Sequence, residues 1–334
     1  MTNRITDYRE LMFPVRTVSV FAELRDGEEG SLQRIPGKKA IVNCTNDKVI
    51  SVVSDDYQVV TNRDALDYGF RCCESAFPDV PQSAWEVTAA DAPLSSGHCH
   101  IDLTHNSARL RFDSVSAGQR PDTYGPFIRV ANSYNRKRAL GFTIGFMRKV
   151  CSNGMIVPRS SISFSLDHNT KRIRERVEFE TSRTQFTSVK TKFLEFLDPL
   201  QKCTIPGEFF PSISRFALRV PIPEKPSKRK QEEWNHFNAH IKSLSEEYIQ
   251  QVGENAYALL NVISDLASRP SKAGLRRRER HSLQRLAGAW LAEFSSECRK
   301  ASFDPSRYVR QLDQATAKSV RNENAEQSSN QWLM

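Results

Sequence analysis

The stretch RALGFTIGFMRKV, residues 138–150, constrains the fold of this chain more tightly than any other part of its sequence. Large apolar side chains alternate there with small ones, which is the period of two that predicts a strand with one buried face. The glycine-spaced opposite face lets another backbone, a helix or a ligand come close. The large set is Leu140, Phe142, Ile144 and Phe146, and the small set is Ala139, Gly141, Thr143 and Gly145.

Short β-branched and aromatic runs on both sides of this stretch predict further strands. Two of them flank the turn Thr45-Asn46-Asp47-Lys48 and predict a hairpin. We expect residues 1–35 to be irregular apart from the run TVSVFAEL, and we expect KRIRERVEFE, residues 171–180, to be a strand. Successive short strands with polar turns between them indicate a mostly antiparallel sheet.

Helical spacing appears once within this region and then dominates the rest of the chain. After a cap at Thr61 or Asn62, a helix is predicted that presents Leu66, Phe70 and Cys73 on one face. The sequence therefore predicts an α+β fold. A mostly antiparallel β-sheet domain with covering helices spans residues 1–181, and a helical C-terminal region follows.

The helical region is predicted to span residues 182–316. Its first helix is expected to stop at Pro199, and a Pro-rich bridge lies near residues 220–230. Further helices follow in the runs that begin near Gln231, Glu254 and Arg278. Residues 317–334 are polar, and we expect them to form a flexible tail.

Composition narrows the class of protein and its surroundings. No apolar run approaches the roughly 18 residues that span a bilayer, and the N-terminus has no signal-peptide core. Seven cysteines without a paired C-x-x-C spacing favour free thiols in a reducing compartment, so we expect a cytoplasmic protein. The net charge of +9 suits a polyanionic partner, with nucleic acid foremost.

Several groups of cations are candidates for phosphate contact. A strand at residues 171–180 would place three guanidinium groups on one face at roughly 7 Å spacing, which matches a phosphate backbone. Tyr134 is a candidate for stacking on unpaired bases. The cations of these groups are Arg136, Lys137 and Arg138; Arg148 and Lys149; Arg172, Arg174 and Arg176; and Arg276, Arg277, Arg278 and Arg280.

Signals for catalysis are weaker. His98, His100 and Asp102 would share one strand face, with His105 just beyond, and such a set can bind a transition metal. We favour a solvated strand face instead, and we predict no metal and no cofactor. The sequence has no P-loop and no G-x-S-x-G elbow, and it marks out no catalytic residue.

Four motifs give the chain a family resemblance. They are Y-x-V-V-x-N at Tyr57 to Asn62, N-S-x-x-x-x-x-A-L at Asn132 to Leu140, and R-x-V-C-x-N-G at Arg148 to Gly154. The fourth is the helix at Asn255 to Ser264, which corresponds to an N-A-x-T pattern but has NVIS in place of the usual small-residue run. In this order they resemble a phage- and plasmid-encoded family, domain of unknown function nine-three-two, over residues 48–265.

The resemblance implies a mobile-element origin and a bacterial cytoplasm, and it supplies no catalytic residues. It also implies that five motif residues matter to the fold or to a site: Asn132, Ser133, Arg148, Asn153 and Gly154.

Three functional hypotheses remain open. The first is a non-catalytic nucleic-acid-binding protein that binds single-stranded DNA, in preference to RNA, during recombination or replication. In it the helical region can mediate homo-oligomer formation, and no membrane is involved. The second is an interaction protein that inhibits or sequesters a host defence protein, and the third is a metal-dependent enzyme that uses His98, His100 and Asp102.

Overall fold

A computed structural model describes most of the chain. The described residues are 4–25, 30–76, 82–105, 110–112, 122–148, 153–155, 163–168, 172, 175–176, 186–223, 226–275 and 278–314. The chain packs as two units. The first contains Met1–Leu110, Tyr124–Met147 and Ser160–Lys190, and the second contains Arg111–Thr123, Arg148–Arg159 and Thr191–Met334.

The first unit contains a three-stranded antiparallel sheet made of β2 (Val15–Arg25), β3 (Gly30–Asn43) and β4 (Val49–Ser54), in that order. The predicted hairpin around Asn46 is confirmed. The run TVSVFAEL lies within β2, as predicted, but the irregular structure expected up to residue 35 is wrong, because β3 begins at Gly30 and pairs with β2. Pro36 and Gly37 hid β3 from the sequence pattern, since both residues normally interrupt strands. They lie between the paired positions Arg34 and Lys39, and Gly37 takes the left-handed φ of 70°.

A second sheet of the first unit has the strand order β1 (Arg4–Ile5), β5 (Trp85–Pro93), β6 (His98–His105), β8 (Asp122–Ser133) and β9 (Leu140–Arg148). β11 (Ser163–Leu166) pairs antiparallel with β9. Two short strands are β7 (Leu110–Phe112) and β10 (Asn153–Met155). The predicted alternation along β9 is confirmed, because its four large residues are at most 5% exposed.

One helix covers the core face of this sheet. The helix α1 (Asn62–Ala76) packs against a cluster that includes Ile101, Leu103 and Val130. Its start uses reciprocal hydrogen bonds: Asp64 N donates to Thr61 Oγ1 at 3.0 Å, and Thr61 N donates to the Asp64 carboxylate at 3.2 Å. Thr61 is therefore the cap, in the manner of a capping box.

The second unit is mainly helical. It includes a 3₁₀ turn at Gly207–Phe209. The buried sides of the four helices that follow this turn form its core. Its helices are α2 (Phe186–Lys202), which crosses the boundary between the units in the sequence, then α3 (Phe210–Ala217), α4 (Lys228–Val252), α5 (Ala256–Ser268) and α6 (Arg280–Cys298). Residues 305–314 are also helical.

Pro199 does not stop α2, contrary to expectation. Proline lacks the N–H that would bond the carbonyl four residues earlier, which here is that of Glu195. Arg299 Nη2 donates to that carbonyl oxygen at 2.6 Å. The helix therefore continues past Pro199 to Lys202, with a side chain from beyond α6 in place of the missing donor.

The α+β fold with its mostly antiparallel sheets is confirmed, with one local correction. The expected strand at residues 171–180 is wrong at its described positions. Arg172 lies in a turn with φ 57°, and Arg176 N donates to Arg172 O at 3.1 Å, which is a helical hydrogen bond. The predicted tail, 317–334, lies outside the described residues. Within the described ranges, no helix is long and apolar enough to cross a bilayer.

Candidate nucleic-acid interface

The turn between β8 and β9 carries the first predicted group of cations. We call Asn135–Arg138 the basic turn. Asn135 Oδ1 accepts from Ser133 Oγ at 3.0 Å and from Lys137 N at 3.2 Å, which closes a local side-chain turn. Arg136 takes a left-handed φ of 60°. Arg136 and Lys137 are exposed and Arg138 is half-buried, so the turn presents two cations to solvent from a defined backbone.

Gly97, in the connection between β5 and β6, binds the basic turn through main-chain hydrogen bonds. Its carbonyl oxygen accepts from Tyr134 N at 2.8 Å and from Asn135 N at 3.1 Å. A Cβ at Gly97 would clash with the Asn135 amide. The absence of a side chain at Gly97 is what allows this close approach.

A buried hydrogen-bond network, which we call the asparagine network, lies beneath the basic turn. Asn132 Nδ2 donates to Val60 O and to Asn62 Oδ1, both at 2.9 Å. Asn62 N donates to the Tyr134 hydroxyl at 2.9 Å, and the Tyr57 hydroxyl donates to Ser133 O at 2.6 Å. Burial raises the pKa of both tyrosines well above the usual range, so both hydroxyls stay protonated. The network ties the end of β8 to the start of α1.

The network brings together two motifs that lie far apart in the sequence. Tyr57 to Asn62 and Asn132 to Ser133 meet through the hydrogen bonds just given. The residues that carry the resemblance in this part of the chain are therefore buried and anchor the turn, while the neighbouring cations are exposed.

His168 extends the packing next to the network. Its ring stacks on Tyr57 with centroids 4.6 Å apart, and its Nδ1–H donates to Gln58 O at 3.0 Å. Gln58 N donates back to His168 O at 2.7 Å. Burial lowers the pKa of His168 below its usual value, so the ring is neutral near pH 7.

Lys39 of β3, which is half-buried, adds a third cation to the neighbourhood of the turn. A hydrogen bond from Ser54 lowers the pKa of Asp56, and the charges of Arg136 and Lys39 lower that pKa further. Lys39 Nζ also donates to Asp55 O at 2.7 Å. Arg136 and Lys39 are thus close enough to act on the same carboxylate. We call Lys39, Arg136 and Lys137 the basic rim.

Sequence reasoning missed Lys39. The doublet Lys38-Lys39, placed directly before a β-branched run, was the available signal. Reading it required the register of β3, which places Lys38 opposite Ser54 and Lys39 opposite Val53 at the end of β4.

Tyr134, predicted to stack on bases, lies in the core. It is 1% exposed, and its hydroxyl is bonded to Asn62 N. In this position its ring has no face available to a base, and its role is to support the turn.

The remaining sheet cations are placed differently from one another. Arg172 is exposed and pairs with Glu175 at 3.4 Å, and Arg176 is exposed one helical turn later. Arg148 ends β9, and its side chain is outside the described set. Lys149 and Arg174 also lie outside the described residues. The two described members of the row expected on one strand face, Arg172 and Arg176, do not lie on a strand.

The helical arginine cluster is partly engaged by the main chain. Arg278 Nη1 donates to Leu218 O at 2.7 Å and to Arg219 O at 2.9 Å, where it satisfies carbonyls at the end of α3. Burial and the charge of Arg219 lower the pKa of Arg278. Arg280 begins α6 and is half-buried, and Arg276 and Arg277 lie outside the described residues.

The candidate metal residues do not face solvent, contrary to the preferred interpretation. His98, His100 and Asp102 are each at most 8% exposed. Asp102 accepts from Arg129 Nε and Nη2, both at 2.6 Å, in a buried two-point ion pair. His105 lies on the opposite face, with its ring 5.1 Å from that of Trp85. Among the described residues, no three His, Cys, Asp or Glu side chains are grouped to hold a metal ion.

Comparisons with known proteins agree with the motifs. Searches of curated proteins and of solved structures gave no match. A family model does match residues 49–290, which is more than half of the chain and confirms the resemblance. The chain belongs to the family described as Domain of unknown function (DUF932).

Proposed function

We propose that this chain is a non-catalytic nucleic-acid-binding protein of a phage or plasmid that binds single-stranded DNA during recombination or replication. One observation carries the proposal: the basic rim brings the exposed Arg136 and Lys137 together with the half-buried Lys39, and the turn that carries the first two is held by hydrogen bonds of the Asn135 side chain. Arginine and lysine that are held in place lose less conformational freedom on binding phosphate than the same residues on a loose loop.

The contacts below the rim support this interpretation. The asparagine network contains no charged side chain and points its polar groups inward, so it serves the position of the turn. Asp55 and Asp56 lie near the rim and reduce its net charge. The rim therefore favours a few defined phosphate contacts over a broad field of positive charge.

The test is a salt titration of binding to single-stranded DNA, duplex DNA and RNA of equal length. Replacement of all three rim cations by glutamine should weaken single-strand binding at least about tenfold. It should also lower the slope of log K against log salt by about 2, because each single-strand phosphate contact contributes about 0.7. The matched control replaces Lys202, Lys242 and Lys300, three exposed lysines elsewhere, with glutamine. An equal loss in the control, or wild-type binding without salt dependence, would contradict the proposal.

The same cations can also bind an acidic protein surface, which is how a host defence component would be sequestered. A pull-down from nuclease-treated host lysate separates the two cases. A protein that stays bound after nuclease treatment and is lost with the rim variant favours this second function. Loss of all bound protein with nuclease favours nucleic acid.

A further inference from the structure

The strand β2 lies at one edge of the three-stranded sheet, and its outer side is open. Within the described residues, β2 pairs with β3 and with no other strand. From Arg16 to Leu24 every residue is exposed except Val20 and Ala22, which are half-buried. The main-chain N–H and C=O groups along such an edge can pair with a further strand.

β2 lacks the features that usually protect an edge strand. The run Thr17–Ala22 contains no charged residue, no proline and no glycine. Natural edge strands are commonly protected by proline, by lysine or by inward-pointing charges, or they are covered by another element. The irregularity in the pairing with β3 leaves out residues 35–38 of β3 but only Val20 of β2, so the extra chain lies on β3. The composition of β2 is therefore that of a strand whose edge is covered.

Three large apolar side chains on β2 also face solvent. The exposed fractions are 37% for Val18, 54% for Phe21 and 41% for Leu24. Leu32 of β3 is 74% exposed, and it shares a face with Phe21 because it pairs with Glu23, two residues further along β2. An open edge that carries exposed apolar groups on both faces fits a protein partner better than a polyanion.

The spacing of these residues fits a second copy of the same chain. Val18 and Leu24 lie three residues before and three residues after Phe21. In an antiparallel pairing of two β2 strands about a two-fold axis through Phe21, the two phenylalanines face each other, and Val18 of each copy faces Leu24 of the other. Directly opposed residues lie on the same face of a sheet, with Cβ atoms about 4.5–5.5 Å apart. Each exposed apolar side chain of β2 therefore gains an apolar neighbour.

The remaining opposed pairs of this register contain no conflict of charge. Ser19 faces Glu23 and Thr17 faces Arg25, so no charge lies opposite a charge of the same sign. Pairing from Thr17 to Arg25 in both copies also supplies roughly nine main-chain hydrogen bonds. Moving the axis by one residue in either direction would place Phe21 opposite Ser19 or Glu23. The register centred on Phe21 is therefore favoured over its neighbours.

We propose that β2 is a dimerisation edge, through which two copies of this chain join their three-stranded sheets into one continuous antiparallel sheet of six strands. The proposal does not rest on nucleic-acid binding, and it places self-association in the first unit instead of the helical region. A contact made by one strand edge belongs to the small class of protein interfaces. The dissociation constant of the dimer is therefore expected to be on the order of micromolar.

Sedimentation equilibrium of the full-length protein tests the dimer. From low micromolar to a few hundred micromolar, the average mass should rise from 38.1 kDa towards twice that value. Ser19→Glu sets a carboxylate against Glu23 of the other copy at two places in each dimer, and it should raise the dissociation constant at least about fivefold. The double variant Ser19→Glu/Glu23→Lys should restore dimerisation, because each new glutamate then faces a lysine. The matched control is Ser95→Glu, an exposed serine between β5 and β6, which should leave the constant unchanged.

Cross-linking tests the position of the two-fold axis, because only a residue on the axis faces its own counterpart. The chain for this test carries Cys44→Ser, which removes an exposed native thiol. Added to it, Phe21→Cys should give a disulfide-linked dimer on mild oxidation, since opposed Cβ atoms lie close to the spacing of a disulfide. The control Leu32→Cys, which is more exposed but lies on β3, should stay unlinked.

Three results would overturn the proposal. A monomer at every concentration would show that β2 is covered by a different protein. A dimer whose dissociation constant is the same with Ser19→Glu would place the contact elsewhere on the chain. Equal cross-linking through Phe21→Cys and Leu32→Cys would show random collision instead of a defined register.

Discussion

The basic turn and the arginine cluster before α6 read alike in the sequence but differ in the structure. Arg136 and Lys137 are exposed, and their turn is held by neutral groups: Asn135, Gly97 and Tyr134. Arg278 instead places its own guanidinium on two main-chain carbonyls. A run of cations in a sequence therefore does not show whether its charges hold the fold together or face a ligand. The role of a cation depends on whether a main-chain carbonyl that lacks a donor lies within its reach.

The largest loss of folding stability is expected when the support beneath the basic turn is removed. Asn132→Leu eliminates the two donors to Val60 O and Asn62 Oδ1 and leaves both acceptors buried, so it should lower the free energy of unfolding by about 3 kcal/mol. Urea denaturation measures the loss. The matched control is Asn238→Leu, whose half-buried amide donates only to a carbonyl of its own helix, and it should cost less than about 1 kcal/mol. Equal losses would show that the asparagine network does not anchor the turn.

Two single substitutions test whether Arg278 stabilises the fold and Arg136 binds DNA. Arg278→Gln should lower the free energy of unfolding by about 1–2 kcal/mol, since it removes charged hydrogen bonds to two carbonyls, and it should leave DNA affinity unchanged. Arg136→Gln should change stability by less than about 0.5 kcal/mol and should weaken DNA binding. Thermal melting and a fluorescence binding assay on both variants measure the two effects. The opposite pattern would reverse the assigned roles.

The smallest expected effect is a pH dependence at His168. Burial lowers its pKa in the folded protein, so near pH 6.5 the unfolded chain binds a proton that the folded chain does not. Stability should therefore fall as pH drops through 6.5, with a slope of at most about 1.4 kcal/mol per pH unit from this residue. The measurement is the difference between wild-type and His168→Gln unfolding free energies from pH 7.5 to 5.5, because other histidines such as His240 cancel in that difference. Parallel curves would show that His168 does not contribute.

Local patterns predicted a large part of the fold. The alternation of Leu140 to Phe146 indicated a strand with one buried face, and the Thr61 to Asp64 spacing indicated a helix start. Both depend on neighbours in the sequence, which a reader of the sequence has in view. The exposed cations of the basic turn were found in the same way, because a polar turn between two strands has to face solvent.

Long-range partners could not be predicted. The sequence predicts that Tyr134 stacks on bases, because nothing near it in the sequence shows that Asn62 N donates to its hydroxyl. The sequence predicts that Pro199 ends the helix, because the donor that replaces its missing N–H belongs to Arg299, 100 residues later. Lys39 joins the basic rim only through the register of β3 with β4. In each case the deciding contact is made by the fold, and a single sequence does not record it.

The proline in α2 affects which substitutions the second unit can tolerate. A carbonyl oxygen without a donor in its own helix can accept a hydrogen bond from a distant side chain. The Glu195 carbonyl accepts one from Arg299. If residue 199 regained an N–H, the helix would close on itself and that arginine would become dispensable. A change that makes α2 a better helix would thus loosen its hold on the chain after α6. The missing N–H of Pro199 in α2 is what allows the chain after α6 to bind this helix.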